Sequence, residues 1–71
     1  MEIKNEKYHF VVVFNDKEIN SGISEVLESN IPMFSSTSYK DGREWHIRIG
    51  ERDTFNRILK LHFQDRQLSL F

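Results

Sequence analysis

The chain contains no cysteine, so it has neither a disulfide framework nor a thiolate metal site, and thiol chemistry is excluded. It has no N-terminal signal pattern and no apolar run of membrane-spanning length, so a cytoplasmic location and no membrane partner are expected. It also lacks a basic excess. Ten Lys and Arg stand against eleven Asp and Glu, a net charge of −1, which argues against a protein whose main business is neutralising a phosphate backbone. No glycine-rich phosphate loop, Ser-His-Asp order or carboxylate pair stands out, so an enzyme is not expected and no cofactor is implied. His9, His46 and His62 do not fall at the spacing of a helical ligand pair, and ordinary surface or half-buried histidines are expected rather than a metal site. There is no internal repeat and no low-complexity stretch.

With 71 residues there is room for one domain and a modest core, whose net stability is expected to be roughly a few kcal/mol. Six Phe, two Tyr and one Trp are more aromatics than a disordered segment carries, and they favour a folded unit. Charge is unevenly spread. Residues 1–39 hold three Lys and six acids, whereas residues 40–66 hold seven Lys or Arg and five acids, so the second part is mildly basic.

Residues 7–14 contain Phe10-Val11-Val12-Val13-Phe14, a β-branched and aromatic run that is apolar at both parities, as expected of a central strand covered on both faces. Asn15-Asp16-Lys17-Glu18 carries a helix-start signature, a capping residue with Glu three positions on. Ile19, Ile23, Val26 and Leu27 follow at helical spacing. Gly22 costs a helix interior roughly 1 kcal/mol, so a start at Asn20 or Ser21 is the alternative; the helix should end near Asn30, ahead of Pro32. Residues 33–39 and 44–49 read as the arms of a β-hairpin around Lys40-Asp41-Gly42-Arg43, where Asp-Gly supplies the positive φ that tight turns demand. On the second arm Trp45, Ile47 and Ile49 alternate with Glu44, His46 and Arg48, one face apolar and one charged. After Gly50, Asp53 or Thr54 can cap a second helix with a stripe of Phe55, Ile58, Leu59 and either His62 or Phe63, leaving Arg52, Arg57 and Lys60 exposed.

This pattern predicts an α+β fold, a small open sheet of order β-α-β-β-α with an optional last strand on a ferredoxin-like plan, two helices lying on one face. Residues 1–63 would form the domain and residues 64–71 a C-terminal tail. The only candidate for the closing strand is that tail.

The tail ends in Gln67-Leu68-Ser69-Leu70-Phe71. This resembles the pentapeptide by which many bacterial proteins bind the replicative sliding clamp, Gln-Leu, then Ser or Asp, then Leu-Phe, and all five positions agree. A chance match in a chain of this size is on the order of one in ten thousand, so the resemblance has weight although it covers five residues. It implies a non-enzymatic accessory or inhibitor of DNA replication or repair, bacterial or phage, whose partner is the bacterial DNA polymerase sliding clamp and which meets DNA indirectly. By position it makes Leu68, Leu70 and Phe71 apolar anchors and Gln67 the directional hydrogen-bonding group, with Ser69 adding little. The pentapeptide's own alternation also fits a fourth strand, with Leu68 and Leu70 facing the core. The element order is similar to the little-finger domain of Y-family DNA polymerases, which a clamp peptide also follows, but the nearly neutral charge speaks against its DNA-gripping role.

Beside these stand other expectations. Tyr8, Phe10 and Phe14 share a face of the first strand and are read as core rather than as an RNA-stacking surface. The open face of the sheet is a candidate second interface, marked by Arg43, His46 and Arg48, for a protein partner or a homodimer. A nucleic-acid-binding module using Lys40, Arg43, Arg48 and Arg52, or a small regulator of an unrelated protein, are the alternative functions.

Overall fold

The computed structural model describes the backbone of residues 1–70 and the side chains of residues 1–64. Two strands precede the first helix, β1 (Glu2–Asn5) and β2 (His9–Val13), and a hairpin of β3 (Ser36–Tyr39) and β4 (Glu44–Arg48) follows later. All neighbours are antiparallel, in the spatial order β1-β2-β4-β3. The fold is α+β as expected, but the ferredoxin-like order is not present. The fourth strand is β1, which the sequence reading left out. Its four residues are all exposed, so no apolar alternation announces it; pairing with β2, Ile3 opposite Val12 and Asn5 opposite Phe10, is what makes it a strand. The likeness in element order to the little-finger domain therefore does not hold.

The first predicted helix is two. Asn15 accepts from the Glu18 backbone N–H at 2.9 Å while the Asn15 N–H donates to the Glu18 carboxylate at 2.8 Å, the reciprocal cap anticipated from the sequence. It starts α1 (Asp16–Asn20), which Gly22 at φ 85° interrupts before α2 (Ile23–Asn30) begins. After a short 3-10 turn at Ile49–Glu51, α3 covers Arg52–Leu70.

The helices cover one face of the sheet. Phe10, Val12, Trp45 and Ile47 from the strands meet Ile23 and Leu27 of α2 and Phe55 and Ile58 of α3, with Phe14 and Ile31 closing the ends and Phe63 packed at the margin. Tyr8 breaks the predicted aromatic face. Phe10 and Phe14 are buried as expected, but Tyr8 precedes the strand and is 74% exposed. Nor is β2 covered on both faces, although it is central as expected. Val11 and Val13 look away from the helices and are half-buried, with Lys4 and His46 opposite Val11, and Glu2 and Glu44 opposite Val13. The aliphatic stems of such long side chains can shade small branched residues without a second layer.

Arg52, expected to be exposed, is half-buried. Its guanidinium lies 4.7 Å from the centroid of the Phe10 ring and donates to Asn5 at 3.1 Å and Asn56 at 3.3 Å, joining α3 to the end of β1.

The β3–β4 turn departs from the expectation in one detail. Positive φ begins at Lys40 (55°), continues through Asp41 (58°) and reaches Gly42 (87°). Consecutive positive φ values match the right-handed twist of the flanking strands. Gly42 also abuts α2, where a Cβ would overlap the side chain of Ser24. Gly42→Ala is expected to lower stability by about 1–2 kcal/mol from the left-handed backbone alone, with a further loss from the overlap. Thermal melts should show a drop of several degrees, and in a chain already carrying Ser24→Gly the same substitution should show only the backbone part.

Candidate functional site

The antiparallel register gathers the start of β2, the end of β4 and the start of β3 at one end of the sheet, since His9 lies opposite Arg48 and Ser36 opposite Ile47. On the face without helices this places His9, His46, Arg48, Thr37 and Tyr39 side by side. The His9 and His46 rings stack at 5.6 Å between centroids, and Tyr39 meets the His46 ring edge-on at 4.9 Å. Next to them lies a depression of about 300 Å³ between His9, His46 and Arg48 on one side and Phe34, Thr37 and Tyr39 on the other. A second depression, of about 430 Å³, continues over the sheet end between Tyr8, Ile49 and Glu51; Ser35 and Arg48 border both.

The surroundings are unusually apolar for surface. Phe34 is 82% exposed and Met33 90%, because Pro32 opens a 3-10 turn over Met33–Ser35 that lifts both side chains out of the strand the sequence assigned them to. Ile49, expected on the buried face, is half exposed: its N–H bonds to the Tyr8 carbonyl at 3.1 Å and the chain leaves the sheet there.

The charges sort into engaged and free. Glu44 accepts from His46 at 2.9 Å and pairs with Lys40 at 3.4 Å. The hydrogen bond from His46 holds the Glu44 carboxyl below its ordinary value of 4.5, against some desolvation, with Lys40 adding to the effect. A carboxylate whose folded pKa is depressed contributes stability above its unfolded pKa and loses it as pH falls through the folded value. Glu44→Gln should therefore flatten part of the stability loss below about pH 4.5 in acid titrations followed by circular dichroism.

Arg43 does not belong to this site. Its guanidinium pairs with Asp16 at 2.7 Å and its carbonyl accepts from the Phe14 N–H at 2.9 Å, so it fastens the hairpin turn to the start of α1. It stands five residues from Arg48, roughly 17 Å along an extended strand. Of the second-interface residues expected from sequence, His46 and Arg48 are brought together and Arg43 is not. Of the four cations of the alternative nucleic-acid reading, Lys40, Arg43 and Arg52 are engaged, while the Arg48 side chain has no ion pair or hydrogen bond among the described residues.

His9, Tyr8, Met33, Phe34 and Ile49 are the residues sequence reasoning missed here. Pro32 directly before Met33-Phe34 is the signal that could have moved that pair out of the strand. His62 lies elsewhere, 3.0 Å from the Ser21 hydroxyl, joining α3 to the end of α1. Among the described residues no cluster of His, Asp or Glu is arranged to hold a metal, and no helix is long and apolar enough to cross a membrane.

The backbone of Gln67, Leu68, Ser69 and Leu70 falls within the bounds of α3, while their side chains, and all of Phe71, lie outside the described residues. Phe63 is the last described side chain packed on the core. No protein family matches the chain, and comparison with curated proteins and with solved structures yields no significant match.

Proposed function

We propose that this chain is a non-enzymatic accessory of DNA replication or repair that docks on the bacterial sliding clamp through Gln67, Leu68, Ser69, Leu70 and Phe71. The observation that carries the reading is the agreement of all five positions with the clamp-binding pentapeptide. In extended form such a peptide seats apolar side chains in preformed pockets while a polar group sets the register. Three anchors worth roughly 1.5–3 kcal/mol each, less the cost of ordering the segment, give an affinity of order micromolar.

Docking in that form requires residues 67–70 to leave the helical backbone of α3. Helix ends fray at little cost, since the last four carbonyls have no intrahelical partner. Recruitment to the clamp and competition with polymerases for it use the same peptide, and a homodimer would engage two pockets of the ring at once. The decisive measurement is binding of purified clamp to the intact chain and to a chain lacking residues 67–71. Loss of binding on truncation is expected; equal affinities would refute the proposal.

A further inference from the structure

The sheet end carries a surface that the tail does not explain. Phe34, Tyr8 and Tyr39 expose their rings around one cation, Arg48, which borders both depressions and has no partner among the described residues. We propose that this surface binds single-stranded DNA, with unpaired bases stacking on Phe34 and on the Tyr39–His46–His9 cluster and a backbone phosphate held by Arg48.

Three features select this occupant. Phe34 has no ring contact among the described residues and offers open π faces beside polar walls, since Thr37 and the two imidazoles line the same depression; flat bases with polar edges match that mixture. The local charge favours an anion although the whole chain is at −1: Glu44 is paired with Lys40 and Glu6 with Lys4 at 4.0 Å, which leaves Arg48, with Lys7 over the Tyr8 ring, against Glu51 at the rim among the described residues. One free cation is too few for a duplex, whose affinity comes from many phosphate contacts and whose base faces are hidden, but suffices where stacking supplies the larger share.

The test is fluorescence anisotropy of the intact chain with a labelled oligothymidylate of about twelve nucleotides at about 50 mM salt. Saturable binding is expected, with log K falling against log salt at a slope of about −0.7 for each phosphate neutralised. Phe34→Ala should weaken binding about five- to 150-fold, the value of one stacked base. Arg48→Ala should flatten the salt slope, and a duplex of the same length should bind more weakly. All these side chains are outside the core, so melting curves should be unchanged. Leu70→Ala with Phe71→Ala should leave oligonucleotide binding intact, which separates this site from the tail. The proposal is overturned by absence of binding at that salt, by equal affinity of the Phe34→Ala chain, or by a salt slope indifferent to Arg48. Tighter binding of oligouridylate would reassign the surface to RNA. A dimer in sedimentation that Phe34→Ala dissociates would assign it to a second copy.

Discussion

A chain carrying Leu70→Ala and Phe71→Ala is expected to bind the sliding clamp at least a hundredfold more weakly than the parent. Each anchor buried in an apolar pocket is worth roughly 1.5–3 kcal/mol, so removing two takes away about 3–6 kcal/mol, a factor of roughly 10² to 10⁴. Calorimetry or surface binding with purified clamp reads this directly. Ser69→Ala serves as the control, because the third position of the pattern tolerates variation and should change affinity only a few-fold. Thermal melts of the double variant, run beside the binding assay, show whether a loss of affinity is a loss of the contact or of the fold. The free pentapeptide is a useful companion. If the helical backbone of residues 67–70 competes with docking, the isolated peptide binds more tightly than expected from the chain by the reciprocal of the fraction already unwound. Parent-like clamp binding by the double variant would mean that a different part of the chain makes the contact.

Phe10→Ala is expected to leave much of the population unfolded at 25 °C. Phe10 is fully buried at the centre of the sheet, with the Phe55 ring 5.1 Å away and Arg52 over its face. Truncating such a residue typically costs about 3–5 kcal/mol, comparable to the whole stability of so small a domain. Far-UV circular dichroism and urea titration should show the native baseline shortened or gone. Clamp affinity should nevertheless stay within a few-fold of the parent, because a short peptide carries its own contacts into the pocket. Loss of clamp binding together with the fold would place the binding determinant in the domain rather than in the tail.

What could be read from sequence follows from how each element is stabilised. The cap at Asn15 and the turn at Asp41-Gly42 depend on residues within a few positions of one another, and both were legible. The buried alternation of Trp45 and Ile47 was equally plain, whereas Ile49 continued the pattern past the point where the chain leaves the sheet. Strand β1 depends on a partner further along and contains one apolar residue, Ile3, so local pattern could not separate it from a loop. Met33 and Phe34 misled for the opposite reason: apolar residues beside a strand are assigned to its core face, and only the turn after Pro32 shows that they stand outside. The pairing of His9 with His46 arises from the β2–β4 register, which no spacing along the chain encodes.

That register has a kinetic side. The β1–β2 and β3–β4 hairpins are each closed by a few residues, whereas the join between β2 and β4 brings His9 to Arg48 across both intervening helices. Closing a loop of that length must be met in entropy before its contacts reward it. The β2–β4 seam is thus the natural rate-limiting encounter of folding: two preformed ribbons meet along one line, and in the same event Phe10 and Ile47 come to lie opposite each other. Substitutions that weaken either ribbon, in β1 or at the outer edge of β3, would then slow folding together with those along the seam, because the ribbons are in place when the encounter occurs.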